Sequence, residues 1–167
     1  MTHDDLRDVL RGELFSEPVS LSAYCNDSSI WEQIPLATVC PSDEDDLLAT
    51  IAYGSEQKIP LHPRGSGLGV TGESLGSGIV LDLSRNFRRI LRIGSSTVTV
   101  QAGVTMAELN HALLPTGRRV VGSVTDQEQM TVGGWLSGND SRHGRLPQFN
   151  SFVHPVVSLR MALANGQ

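Results

Sequence analysis

Residues 63–78, PRGSGLGVTGESLGSG, constrain this chain more than any other stretch. They hold six glycines in 16 residues and show no apolar periodicity. They lie between two apolar runs, 59–62 and 79–83, that read as strands. A loop longer than about 12–15 residues without structure of its own is uncommon inside a compact domain, and is usually functional or disordered. Closely spaced glycines let successive main-chain N–H groups converge on an anion. Arg64 adds positive charge, and the loop is long enough to wrap a diphosphate rather than touch one phosphate. A flexible surface loop is the plain alternative. Residues 67–72, GLGVTG, match G-x-G-x-x-G formally. The dinucleotide fingerprint needs a helix opening directly behind it, whereas here a strand follows, and no lysine is placed for a P-loop.

The surrounding pattern is mixed α and β. Residues 4–14 place Leu6, Val9, Leu10 and Leu14 at helical spacing. Residues 15–37 read as irregular, and 38–40 as a short strand stopped by Pro41. Ser42 is the expected N-cap of a helix that runs to about Gln57, with Asp43, Glu44, Asp45 and Asp46 in its first turn, where acids suit the helix dipole. Strand, helix and strand over 38–62 predict a parallel pair. Two strands at 90–93 and 98–101 follow, then a capping-box pattern from Thr105 to Glu108 that opens a helix ended by Pro115 and Gly117. Residues 119–121 read as a short strand, and 156–164 as an alternating one. The Asn165-Gly166 pair is a strong hairpin signal. With no returning strand after it, the expectation is a fragment of a longer protein, its last strand left as an unpaired edge open to pairing between copies.

A second glycine cluster lies at Thr131-Val132-Gly133-Gly134. Adjacent glycines make room for a flat ligand or for close helix packing, and the residues alone leave both open. Ser123, Thr131, Ser137 and Asn139 are candidate hydrogen-bonding partners for the polar edge of a ring.

Several classes are excluded. No apolar run approaches the ~18 residues of a membrane helix, and the acidic start of the chain is no secretory signal. Two cysteines, Cys25 and Cys40, make no disulfide framework, and five histidines show no metal-ligand spacing. No Ser/His/Asp set, no H-E-x-x-H and no paired catalytic carboxylates stand out. His143 is read as an exposed loop residue or a neighbour of a redox centre, and His62 and Cys40 as structural. Residues 1–56 carry 12 acids against 2 arginines, whereas 57–167 carry 11 Lys/Arg against 6 acids. The basic, glycine-rich part suits an anionic ligand, or else simply neutralises the acidic part on folding. Nothing points to nucleic acid.

Pro63-Arg64-Gly65-Ser66-Gly67 through Thr71-Gly72 resembles the pyrophosphate loop of the FAD-linked oxidases, the vanillyl-alcohol oxidase/para-cresol methylhydroxylase superfamily. Pro41-Ser42-Asp43-Glu44, residues 79–84, Val100-Gln101-Ala102-Gly103-Val104, Thr131-Val132-Gly133-Gly134, Asn139 and Ala164-Asn165-Gly166 follow in that family's order. The resemblance covers about residues 20–167. It is nearest the D-lactate and glycolate dehydrogenase branch, and within it proteins fused to a C-terminal iron–sulfur region, through Gly72-Glu73-Ser74-Leu75-Gly76 and residues 83–91.

The resemblance implies an α+β fold, an FAD-binding domain of two α/β subdomains that is C-terminally incomplete: a lead-in over 1–37, a first subdomain over 38–103 with the pyrophosphate loop, and a second over 104–167. It implies that Arg64, Gly65, Ser66, Gly67, Leu68, Thr71 and Gly72 hold the FAD pyrophosphate. Gly122, Ser123, Thr131, Gly133, Gly134, Ser137 and Asn139 would border the isoalloxazine and ribityl parts. Members with covalent flavin commonly carry His where Leu68 stands, so the expectation is non-covalent FAD. Asp140 stands where the family has a small residue, and the stretch from Asn139 to Gly144 is shorter than usual. Substrate-binding and catalytic groups would belong to a missing cap domain, and any iron–sulfur cluster to a missing C-terminal region. No catalytic residue and no metal ligand is therefore assigned here. The implied activity of the parent is oxidation of a 2-hydroxy acid such as D-lactate or glycolate, with the fragment alone inactive. The alternatives are a truncated module that folds without FAD, or an FAD-linked oxidase of sugars or alditols. The expected location is the cytoplasm, with peripheral attachment to the inner membrane as a variant.

Overall fold

The computed structural model describes residues 3–120, 128–138 and 156–164. Two β-sheets, each with its own apolar core, organise them. The first sheet contains β1 (Glu13–Phe15), β2 (Ala37–Cys40), β3 (Leu61–Arg64) and β4 (Ile79–Asp82) in the order β1-β2-β4-β3. β2 and β3 both run parallel to β4, and β1 is antiparallel to β2. The parallel arrangement expected for the strands before and after the 44–57 helix therefore exists, but β4 lies between them. β3 begins two residues later than its sequence pattern indicated.

β2 and β4 are buried along their whole length, as central strands of a parallel sheet should be. Their odd-numbered residues, Ala37, Val39, Ile79 and Leu81, join Leu6, Leu14 and Tyr53 in one core. The alternate residues, Thr38, Cys40, Val80 and Asp82, belong to the opposite face by strand pleating. That second face is more polar, and the candidate site builds on it.

Helix α1 (His3–Val9) is shorter than the 4–14 expectation, α2 (Pro18–Leu21) and a 3-10 turn (Ser22–Tyr24) break up the stretch read as irregular, and α3 spans Glu44–Gln57. The reason α1 ends early is tertiary. The Asp46 carboxylate, 2% exposed, accepts from the amides of Arg11 (3.0 Å), Gly12 (2.8 Å) and Ser42 (2.8 Å). This capture pulls the chain out of helix and into β1. The N-cap of α3 is Asp43 rather than Ser42: its side chain accepts from Asp46 N at 3.1 Å. Lys58, at φ +56°, closes the helix in the left-handed region.

The second sheet pairs β5 (Ile90–Ile93) with β6 (Val98–Val100). Helix α4 (Met106–Leu113) opens with the anticipated capping box of Thr105 and Glu108. Its core of Val104, Leu109 and Leu113 is completed by Ile90, Val98, Val100, Val120 and Val132. Helix α5 (Val132–Gly138) follows. Residues 119 and 120 form no strand; Val120 N instead donates to the Asn110 side chain at 3.0 Å. Residues 156–164 form no strand either and are exposed. No described strand lies alongside to complete a ladder, so the unpaired edge expected there is not formed. Arg160 reaches back to Glu44 at 2.5 Å. Val121 and the Asn165-Gly166 pair lie outside the described residues.

Candidate functional site

The loop over 65–78 leaves the C-terminal end of β3 and returns to β4. Its first residues lie against the segment before α5. Ser66 Oγ donates to the Gln129 carbonyl. Gly65 has no space for a side chain, because a Cβ there would collide with Thr131 Oγ1. Thr131 is 1% exposed, forms an isolated bridge with Thr105, and its Oγ1 accepts from Gly134 N at 3.2 Å, capping α5. Two glycine clusters more than 60 residues apart in sequence thus meet at one point.

The far arm of the loop rests on residues 26–32. Gly67 O accepts from Ser28 N at 3.1 Å, and Ser74 Oγ donates to Asp27 Oδ2 at 3.1 Å. Gly72, at φ +80°, lies against Trp31. Both arms are therefore held, yet between them the amides of Gly65, Ser66, Gly67, Leu68 and Gly69 donate to no acceptor among the described residues. Gly67 sits at φ +68°, a conformation that strongly favours glycine. Five consecutive amides without an acceptor among the described residues, on a turn held at both ends, leave donors available to an anion. Such a donor set suits the diphosphate of a dinucleotide.

Thr71 is differently placed. Its amide and hydroxyl both donate to Glu73 Oε2, at 3.1 and 2.5 Å. The Thr71 hydroxyl is the main reason the Glu73 carboxyl is held below its ordinary range. Gly133 has a packing role: its amide donates to Ala102 O at 2.8 Å, and a Cβ would come within 3.0 Å of Ala102 Cβ. The helix-packing reading of that glycine fits its surroundings. Gly134, in contrast, is exposed, and among the described residues a Cβ there would meet only Thr131 Oγ1; Ser137 is exposed on α5. Gly122, Ser123, Asn139, Asp140 and His143 lie outside the described residues.

Beneath the loop lies a polar cluster the sequence did not reveal. Tyr24 OH donates to Asp82 Oδ2 at 2.9 Å and lies 3.7 Å from Cys40 Sγ. Burial first, and the Asp82 charge second, push the Tyr24 phenol well above its ordinary range, and burial also raises the Cys40 thiol. Tyr24 sits in a stretch without periodicity, so no sequence signal marked it.

A family model described as an FAD binding domain matches residues 35–167. D-2-hydroxyglutarate dehydrogenase of Pseudomonas putida is 34% identical over 162 residues, which covers 94% of this chain and 16% of that protein. Glycolate oxidase subunit GlcD of Bacillus subtilis is 28% identical over 140 residues, covering 81% of this chain and 29% of that protein. Among solved structures, an alkyldihydroxyacetonephosphate synthase superimposes with a TM-score of 0.73 at 17% identity, over 83% of this chain and 29% of that one. At that identity the likeness establishes the fold alone. The chain thus spans about a sixth to under a third of the length of these proteins.

Proposed function

The chain belongs to the FAD binding domain family, and from that premise we propose that it is the FAD-binding portion of a flavin-dependent oxidoreductase acting on a 2-hydroxy acid. One observation carries the binding reading: the run of amides from Gly65 to Gly69 without an acceptor among the described residues, on a turn anchored at both ends. Those amides hold the diphosphate. Thr71 joins them only when Glu73 releases its donors. Gly134, joined to the first arm of the loop through Thr131, borders the flavin together with Ser137, Gly122, Ser123 and Asn139. Leu68 offers no nucleophile, so FAD is held non-covalently. When bound, the flavin supplies the two-electron redox chemistry, and the protein binds and orients it.

The substrate class rests on the relatives, which are named for D-2-hydroxyglutarate, glycolate and D-lactate. Substrate-binding groups and any iron–sulfur cluster are placed in parts of the parent protein outside these residues. No described helix is long and apolar enough to cross a membrane, and a cytoplasmic location is part of the same proposal.

Titration of the chain with FAD tests the binding reading. Flavin fluorescence should quench, and at a free concentration of 100 times Kd the stability should rise by about 2.7 kcal/mol, or about 5–10 °C in Tm. Acid precipitation should release all the flavin. No quenching and no thermal shift at high FAD would favour a module that folds without the cofactor. A longer protein containing this chain should reduce an artificial acceptor with a 2-hydroxy acid and not with an alditol.

A further inference from the structure

Gly76 lies on the arm that returns to β4, away from the run of amides without an acceptor, and it packs on β3. A Cβ at Gly76 would collide with both Nε2 and Cε1 of His62, so the main chain of the arm rests directly on the edge of the imidazole. His62 is opposite Val80 in the β3–β4 register, and Val80 is opposite Thr38. The ring therefore stands on the more polar face of the first sheet. Its Nε2 is buried and has no hydrogen-bond partner among the described residues. A neutral imidazole meets this with its proton on Nδ1 and a bare lone pair on Nε2. An imidazolium carries a proton on both nitrogens, and the one on Nε2 would point at Gly76 with no acceptor. The charged groups on the elements around the ring are engaged with other partners. On β4, Asp82 accepts from Tyr24 OH at 2.9 Å and from Ser84 N at 2.8 Å. On the loop, Glu73 accepts from Thr71, and in the segment under the arm Asp27 accepts from Ser29 N at 2.8 Å and Ser74 Oγ at 3.1 Å. Arg64, two residues along β3, is a cation and offers no acceptor. Burial accordingly lowers the His62 imidazole below its ordinary range.

We infer that His62 is an acid-sensitive latch on the return arm of the loop: neutral, it lets Gly76 close over β3, and protonated, it drives residues 74–78 off the strand. The latch does not depend on what the loop binds. The bonds that hold the arm include Ser74 Oγ to Asp27, Leu75 N to Gly72 O at 3.0 Å and Leu36 N to Gly78 O at 2.9 Å, and a segment held by so few bonds opens locally without unfolding the sheet. Because the closed arm keeps the imidazole below its ordinary 6.5, closure is at full strength above that pH and is lost as pH falls from there through the lower value of the closed form. Asp27 and Glu73, held below their ordinary 3.8 and 4.5, stay charged over that window.

The experiment follows amide hydrogen exchange of the full chain by NMR from about pH 7.5 down to about pH 5, across the histidine range. His62→Phe and His62→Gln are measured beside the parent. Rates are expressed as protection, so that the pH dependence of intrinsic exchange cancels. Leu75 and Leu36 report the arm, and Leu109, whose amide donates to Thr105 O at 3.0 Å in α4, is the reference. In the parent, protection at Leu75 and Leu36 should fall about fivefold relative to Leu109 across the range, the scale of one buried donor left unpaired. The His62 ring should titrate with a midpoint below 6.5. In both variants the protection of the arm should stay flat with pH. A parent whose arm is as protected at the acid end as at the neutral end overturns the inference, and so does a His62 midpoint at or above 6.5. An equal fall in the parent and in folded His62→Phe overturns it too, since the titrating group then lies elsewhere. Should His62→Phe not fold, His62→Gln decides by the same criterion. Should neither fold, the loss of protection in the parent must track the His62 titration, and a loss at any other pH overturns the inference.

Discussion

The contact between Gly65 and Thr131 joins the two halves of the candidate site, and a double-mutant cycle measures it. Gly65 has no positive φ, so alanine is allowed there by the backbone. Its methyl would land on Thr131 Oγ1 and lie 3.2 Å from both Thr131 Cβ and Cγ2. Thr131 cannot rotate away cheaply, because it is 1% exposed and its Oγ1 caps α5 through Gly134 N. Overpacking of this kind costs about 1–3 kcal/mol. About 0.4–1 kcal/mol is recovered because alanine restricts the unfolded chain. At the middle of those ranges Gly65→Ala should thus lose about 1.3 kcal/mol, which is roughly 3–5 °C in Tm for a chain of this size. Thr131→Ala should lose about 1 kcal/mol with the cap. In the double variant the obstructing oxygen and Cγ2 are gone, and only the 3.2 Å approach to Cβ remains. Its loss should fall short of the sum of the singles by about 1 kcal/mol, well outside the ~0.5 kcal/mol scatter of independent sites. Urea denaturation of the four proteins gives the coupling directly. Strict additivity would falsify the claim that the two glycine clusters touch.

Three further outcomes are expected. Asp46→Ala strands the amides of Arg11, Gly12 and Ser42, and should cost about 3–5 kcal/mol; a Tm within about 2 °C of the parent contradicts the capture of the N-terminal segment. Thr105→Ala removes the capping box of α4 and should cost about 1 kcal/mol, whereas Thr105→Ser should stay within about 0.5 kcal/mol in the same denaturation assay. The Glu73 carboxyl, held chiefly by the Thr71 hydroxyl, should titrate by carbon NMR below its ordinary 4.5. Because its folded value is lowered, its link to Thr71 contributes fully above the unfolded value and is lost as pH falls through the folded one. Thr71→Val should move the midpoint up, and a parent midpoint at or above 4.5 contradicts the geometry.

Much of the fold was legible because the signals are local. The acidic first turn of α3, the Thr105–Glu108 box and the apolar runs of β2 and β4 each report short-range physics, and the structure places elements at all of them. The misreadings arose where a distant group overrides local preference. Leu10 and Leu14 continue a helical period, but the Asp46 carboxylate takes the amides that would extend α1. Residues 156–164 alternate as a strand should, but a strand exists only beside another, and none of those described is adjacent.

The amino-acid sequence by itself determined that residues 63–78 form a glycine-rich connection between two strands, since that follows from composition and from the apolar runs on either side. The ordered motifs also placed the chain in its family. Only the tertiary structure decided which loop amides have no acceptor among the described residues, that Glu73 engages Thr71, that Gly133 serves packing, and that the Arg64 side chain lies close to both Tyr24 and Gly67. The physical reason is range. A hydrogen bond or a steric stop depends on a partner's position to a few tenths of an ångström, and several of those partners, Thr131 against Gly65 and Tyr24 against Arg64 among them, come from segments far away in the chain.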